Sequence, residues 1–366
     1  MLLKLAGAKP SPPGVDAEDR AAHTARMAFA NILGQSRPVN ALRAALRSGA
    51  IHHAYLFGGP EGVGKELTAT AFAQGLLCRE EPKEGCGKCS VCQRVLRHSH
   101  PDVTWVMPEA ELVSRGLAGR SDFASTPSRE IRVEQIRQLQ ERLSLRALEG
   151  ARKIAIIAGA QQMNPQAQNA FLKSLEEPTP DTVLILVASS AELLLPTIRS
   201  RCSKLEFGPL PASLLTETVQ RERGADLATA QLVAALSGGS LARALGMDLE
   251  RLAQRRELIA LFEQAGSDAR SLVRFGEEFG SDRDSAEGAL EILKLWVRDL
   301  LAYKVGSEKL INADLQELIS KTAPEHSSRK LHLRNELIDQ AQEWITTRNG
   351  SPRLQLERMV IEMERE

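Results

Sequence analysis

The chain has 366 residues, 43% hydrophobic and 26% charged, which suits a soluble globular protein of two or three domains. Lys plus Arg equals Asp plus Glu at 47 each, so no global basic field draws the chain to nucleic acid, and an aromatic content of 4% argues against a base-stacking platform. No run reaches the roughly 18 apolar residues that span a membrane, and the apolar start from Met1 to Ala8 is broken by Lys4, so a cytoplasmic chain with no membrane partner is expected.

Residues 1–28, with Pro10, Pro12, Pro13 and Gly14 and no period, read as a flexible leader. Val39, Leu42, Ala45 and Leu46 recur at helical spacing. A short apolar strand, Ala54-Tyr55-Leu56-Phe57, then leads through a Gly-rich turn into a helix over about 65–77. Residues 109–129, with Gly116, Gly119, Ser121, Ser125, Thr126 and Pro127, read as a long surface loop. The runs 154–157 and 183–187 are apolar on both faces, as buried parallel strands are. Between them a helix from Pro165 to Glu177 is ended by Pro178. Strand, helix, strand in this order implies a parallel sheet with crossover helices. After Pro209 and Pro211 helical periodicity takes over: a short bundle over 212–246, broken at Gly238-Gly239, and long helices from about 284. Boundaries are expected near 208 and 280.

Gly59-Pro60-Glu61-Gly62-Val63-Gly64-Lys65 follows a strand and opens a helix, the context in which this pattern holds phosphate. Gly59, Gly62 and Gly64 let backbone N–H groups curl around phosphate oxygens, and Lys65 reaches the outer phosphates. The motif's last position should carry a Ser or Thr hydroxyl for Mg²⁺, and this chain has Glu66 there. The strand 154–157 should end in acids that hold the metal and orient water, but it runs into Ala158-Gly159-Ala160-Gln161-Gln162. The loop therefore reads as degenerate and ATP binding is in doubt.

Four of the five cysteines, Cys78, Cys86, Cys89 and Cys92, lie in one short segment with two overlapping Cys-x-x-Cys steps. In a reducing compartment such a cluster reads as metal-binding first, and four thiolates with no open position describe structural zinc. A redox role is the other reading, and His98 and His100 are near enough to replace a cysteine. Cys202 stands alone and reads as a small buried apolar residue.

Ile32-Leu33-Gly34-Gln35, the phosphate loop, His100-Pro101-Asp102, the run Asn169-Ala170-Phe171-Leu172-Lys173-Ser174-Leu175-Glu176-Glu177-Pro178 and the triplet Ser200-Arg201-Cys202 together resemble the delta-prime subunits of bacterial DNA polymerase III clamp loaders, within the AAA+ family. The resemblance covers about 29–208, the helical C-terminal third is similar to the family's collar, and the first 26 residues lie outside it. It implies an α/β AAA+ domain over 29–208 with an inserted zinc module at 78–92, a small helical lid over 209–280 and an all-α collar over 281–366 for oligomerisation. It also implies a subunit of the DNA polymerase III holoenzyme without catalysis of its own, which helps load the sliding clamp on primed DNA during replication. The partners would be the clamp-loader ATPase subunits and the clamp-opening subunit, with clamp and DNA reached through the complex.

In that family the arginine of the Ser-Arg-Cys triplet, here Arg201, reaches the neighbouring subunit's triphosphate in trans, and the cysteine spacing matches a zinc module. The blander reading of Arg199 and Arg201 is a pair of surface ion pairs. Gly239-Ser240-Leu241-Ala242-Arg243 resembles a lid motif whose arginine senses nucleotide, but here the arginine is displaced by one position and receives no role. Two competing functions are an active AAA+ ATPase, opposed by Glu66 and Ala158-Gly159, and a zinc-stabilised interaction adaptor unrelated to replication.

Overall fold

The computed structural model describes residues 29–365 apart from 250, 251, 253, 267, 308, 309 and 349. The leader expected over 1–28 lies outside the described residues. The chain divides into two compact units, one running to Leu214 and including Gly238–Arg243, the other made of Leu215–Ser237 and the chain from Ala244 onward.

The first unit is built on five parallel strands: β1 (Ala54–Gly58), β2 (Val103–Val106), β3 (Lys153–Ala158), β4 (Thr182–Ala188) and β5 (Ser203–Glu206), in the order β2-β3-β4-β1-β5. Side chains alternate across a strand, and the three central strands divide their residues between two apolar layers. Tyr55, Phe57, Ile154, Ile156, Val183 and Ile185 enter one layer, while Leu56, Ala155, Ile157, Leu184 and Leu186 enter the other. Both faces are covered, which is why these runs carry no polar alternation. The parallel sheet with crossover helices expected from the sequence is borne out.

Helix α1 (Ser36–Ser48) and helix α2 (Lys65–Leu77) cover the first layer. Ala69, Ala71, Ala73 and Gly75 make α2 thin enough to bury almost all round. A short α3 (Ser90–Leu96) follows the cysteine segment. The stretch expected as loop over 109–129 contains α4 (Glu109–Ser114) and a single 3₁₀ turn at Arg120–Asp122. Helix α5 (Val133–Ser144) and helix α6 (Pro165–Glu176) cover the second layer through Ile136, Leu139, Leu143, Ala167, Phe171 and Leu175. Helix α6 starts sharply because Asn164 caps the Ala167 N–H at 2.8 Å and Pro165 presets the first turn. A four-residue α7 (Pro196–Arg199) leads into β5.

The second unit is helical. Helix α8 (Ala212–Arg223) enters it at Leu215, α9 (Leu227–Leu236) lies within it, and α10 (Leu241–Gly246) enters it at Ala244. Helices α11 (Arg255–Ala265), α12 (Ala269–Phe279), α13 (Arg283–Lys304), α14 (Gln316–Thr322), α15 (Ser328–Thr346) and α16 (Pro352–Glu364) then share one apolar cluster running from Leu258 to Met363, with Trp296 fully buried in it. The expected break at Gly238-Gly239 is present, with φ of 58° and 85°. Its neighbours belong with the sheet: Leu210 N–H donates to the Gly239 carbonyl at 2.9 Å, and Ala242 N–H to the Gly62 carbonyl at 3.2 Å.

Candidate functional site

The strand register aligns Gly58 with Ala188 and Ala158 with Val187. The phosphate loop after β1, the turn after β3 and Ser189 after β4 therefore meet at one end of the sheet, where ligands bind in open α/β folds. A cleft of about 400 Å³ lies there, bounded by Lys65, Glu66, Glu111, Arg129, Gly159 and Gln161, with Ser189 at its back.

The loop has the backbone that phosphate binding demands. Gly59 has φ 135°, and a Cβ there would stand 2.0 Å from the Phe207 carbonyl oxygen, so only glycine fits. Gly62 has φ 73°, and a Cβ there would meet Ser240 Oγ at 2.1 Å. Gly64 has φ 101° and turns the chain into α2. Gln35, which is buried, braces the turn by donating through Nε2 to the Val63 and Gly208 carbonyls at 3.3 and 2.8 Å. Lys65 is 7% exposed and folds its ammonium back onto the Gly59 and Pro60 carbonyls. Burial pulls Lys65 below the ordinary lysine range, against the opposing charges of Glu61 and Glu66.

The positions expected to carry the metal and water ligands hold other groups. Arg115 donates to both Glu66 carboxylate oxygens, at 2.7 and 3.0 Å, and also contacts Glu111. The position expected to approach a metal is thus a carboxylate already neutralised by a guanidinium. After β3, Gly159 takes a left-handed turn at φ 67°. Gln161 then reaches across to β4, its Nε2 donating to Ser189 Oγ at 2.9 Å and its Oε1 accepting from Ser189 N at 3.2 Å. These are amide and hydroxyl groups, which carry no charge for a metal.

Arg201 is not among the residues that bound this cleft. It follows α7 with its side chain 37% exposed. Its Nη1 donates to the Thr197 carbonyl at 3.0 Å, and its Nη2 pairs with Glu176 Oε1 at 3.0 Å. Arg199 lines a separate cleft of about 350 Å³ beside Gly59, with Lys204 and Glu206. Cys202 is buried, and burial pushes its thiol up to about 12, which fits an inert apolar residue.

The four clustered cysteines come together. Their Sγ atoms all lie within 4.8 Å of one another, with Cys78–Cys89 and Cys86–Cys92 at 3.9 Å. Zinc–thiolate bonds of ~2.3 Å in a tetrahedron require sulfur edges of about 3.8 Å, so the donor set fits structural zinc. Backbone N–H groups point at the sulfurs: Glu81 at Cys78 (3.3 Å), Cys89 at Cys86 (3.3 Å) and Cys92 at Cys89 (3.4 Å). Burial raises the Cys78 thiol, but the N–H groups of Cys86 and Glu81 outweigh it and bring it down to about 7. The two histidines are engaged elsewhere: His98 stacks on Trp105 at 4.1 Å, and His100 Nδ1 accepts from Asp102 N at 3.1 Å.

Three contacts at these positions escaped the sequence. Arg115 lies 49 positions from Glu66, and Glu176 sits 25 before Arg201, so no local spacing announces either pair. The Gln161–Ser189 bridge joins two strand ends whose adjacency exists only in the folded sheet.

Residues 34–211 match the family described as DNA polymerase III, delta subunit, and residues 250–365 match its C-terminal family. The chain is 32% identical over 296 residues to DNA polymerase III subunit delta' of Bacillus subtilis, covering 79% of this chain and 84% of that protein. It is 40% identical over 191 residues to the same subunit of Pseudomonas aeruginosa, covering 51% and 53%. It is also 31% identical over 194 residues to DNA polymerase III subunit gamma/tau of Mycobacterium bovis, covering 53% of this chain and 31% of that protein.

Proposed function

Because this chain belongs to the DNA polymerase III subunit delta' family, we propose that it is a clamp-loader subunit that does not hydrolyse ATP and lends Arg201 to a neighbouring ATPase subunit. The observation that carries the reading is the state of its own cleft. The phosphate loop is intact in backbone, yet Glu66 is committed to Arg115 and β3 ends in Ala158-Gly159 with no carboxylate. Phosphoryl transfer needs a metal clamp and a positioned water, and nothing in that arrangement supplies them.

A subunit that completes another's site needs an arginine at its surface. Arg201 meets that requirement: it is partly exposed, planar, and always charged. In trans it would neutralise charge on the transferring phosphoryl group, an effect of about 10³–10⁵ in rate where such arginines have been measured. The likeness to subunits called gamma/tau supports these as the ATPase neighbours. In this reading the clamp-opening subunit completes the complex, which acts on the sliding clamp and primed DNA in the cytoplasm. No described helix is long and apolar enough to cross a membrane.

Cys78, Cys86, Cys89 and Cys92 would hold zinc and fix the 78–92 segment against α2. The metal would supply cross-linking and no chemistry. Residues 29–208 act as the AAA+ module, 209–280 as a lid and 281–366 as the collar through which subunits join.

The test assembles the chain with its cognate ATPase subunits, clamp and primed DNA and measures ATP turnover. The isolated chain should be silent, and Arg201→Ala should lower turnover of the intact complex by at least about tenfold. Turnover by the isolated chain, or full activity with Arg201→Ala, would refute the reading.

A further inference from the structure

Resting on the assignment of Arg201 as the lent arginine, we propose that Glu176 is its holding partner: a carboxylate that holds the guanidinium at the surface in the unengaged subunit and yields it to the neighbour's triphosphate. Glu176 is a positioning residue in this scheme, acting only through Arg201.

The first argument is geometric. The Arg201 guanidinium is shared between two acceptors, the Thr197 carbonyl on Nη1 and Glu176 Oε1 on Nη2, each at 3.0 Å. Thr197 belongs to α7, immediately before Arg201, and Glu176 is the last residue of α6. A backbone contact from its own turn and a side-chain contact from the adjoining helix together hold a long side chain that would otherwise sample many rotamers.

The second argument concerns strength. The side chains of Arg201 and Glu176 are 37% and 51% exposed. Solvent screens such a pair, and exposed pairs contribute little. A polyphosphate offers more negative charge and geometry that suits the guanidinium fork. The contact at 3.0 Å is therefore good enough to order Arg201 and weak enough to be displaced.

The third argument is the place of Glu176. Carbonyl groups left unpaired at a helix C-terminus make that end negative, and a carboxylate there is disfavoured. Glu176 stands in the last turn of α6, followed by Glu177. An opposing cation offsets this penalty, and the structure places Arg201 against it.

The proposal is tested in the assembled complex with clamp and primed DNA, comparing wild type, Glu176→Gln, Arg201→Ala and the double variant. Glutamine preserves shape and removes the charge, and gel filtration checks that each complex assembles. With the holding charge gone, Arg201 is released more easily, so kcat/KM for ATP should rise about 1.5- to 5-fold in Glu176→Gln. The double variant should match Arg201→Ala alone, because Glu176 has no other route to the reaction. A purely structural role for Glu176 would lower activity in both backgrounds. If Arg201→Ala lowers turnover while Glu176→Gln is unchanged or slower, the holding role is overturned and the lent arginine stands. If Arg201→Ala changes nothing, both fall.

Discussion

Arg115 forks across the Glu66 carboxylate at 2.7 and 3.0 Å, tying α4 to the first turn of α2 at the mouth of the phosphate loop. The pair is more than a lost hydroxyl. The guanidinium is held by Glu66 first and reinforced by Glu111, and these carboxylates push the Arg115 pKa further up. The cleft lining sets Lys65 and Arg129 against Glu61, Glu66 and Glu111, and Arg115 pairs with the last two, so there is little excess positive field for a polyphosphate.

This predicts that one substitution will not reopen the loop. Glu66→Thr alone restores a hydroxyl but leaves Arg115 beside Glu111. Glu66→Thr combined with Arg115→Ala removes both obstacles, and a fluorescent ATP analogue with Mg²⁺ should then bind at least about tenfold tighter than to wild type, or about 1.4 kcal/mol. No hydrolysis is expected from the double variant, because β3 still ends in Ala158-Gly159 with no carboxylate. Equal titration curves for wild type and the double variant would remove Glu66 and Arg115 as the block.

The cysteine set makes a separate prediction. Purified protein should carry one zinc per chain by elemental analysis, matching a single four-sulfur cluster among the described residues. Cys92→Ser should lose it and Cys202→Ser should keep it, since Cys202 lies outside the cluster. Zinc loss frees the knuckle packed against α2, where Gln74 Nε2 holds the Cys92 carbonyl at 3.0 Å. The melting temperature should drop by about 5–10 °C if two or three kcal/mol are lost. Zinc retained by Cys92→Ser would break the assignment.

His100-Pro101-Asp102 acquires a structural explanation that yields a third prediction. The Asp102 carboxylate accepts from three successive N–H groups, Leu148 at 2.6 Å, Glu149 at 2.9 Å and Gly150 at 2.7 Å. Burial raises its carboxyl, but those donors outweigh it and hold it below the usual carboxylate range. Arg94 then forks onto Glu149 from α3, so the loop is pinned to the cysteine module. Asp102→Ala should cost about 2–3 kcal/mol by leaving those donors without their acceptor. Hydrogen exchange at Leu148, Glu149 and Gly150 should accelerate, whereas protection of β4 should persist.

What the sequence made legible follows from how local each signal is. The central strands were readable because burial on both faces leaves uninterrupted apolar runs, as in Val183 to Val187. Strand β5 was not, since Ser203-Lys204-Leu205-Glu206 lies at the sheet edge with charged side chains outward. Strand β2, at the other edge, is only four residues long. The helix Glu109–Ser114 was masked by the glycines and serines that follow it, although Pro108 and two acids in its first turn mark a helix start. The cysteine cluster and phosphate loop were visible because their partners are close in sequence. Arg115 and Glu176 were not, because only the folded sheet brings them to Glu66 and Arg201.

The last prediction concerns Glu263 in the helical unit. Its carboxylate accepts from Trp296 Nε1 at 2.8 Å and from Arg334 Nη1 at 3.0 Å, and His326 Nε2 lies 3.4 Å away. Helices α11, α13 and α15 thus converge on one charge. Burial alone would raise this carboxyl, but His326, the Arg334 charge and the Trp296 N–H outweigh it and hold it at about 2. A folded-state value below the ordinary 4.5 means that folding favours the ionised form. The resulting stabilisation is fully present above about pH 4.5, and it is lost as pH falls toward 2. A shift of that size corresponds to about 3 kcal/mol. Glu263→Gln keeps the shape and an acceptor but leaves Arg334, whose side chain is 5% exposed, without its closest counter-charge. It should destabilise the protein by about 2–4 kcal/mol at neutral pH. The deficit should shrink through the window from pH 4.5 to 2, where wild-type Glu263 itself becomes protonated. Denaturation followed by the helical circular-dichroism signal across that range measures both. A deficit that stays constant with pH would mean that packing, and not the charge on Glu263, holds these helices together.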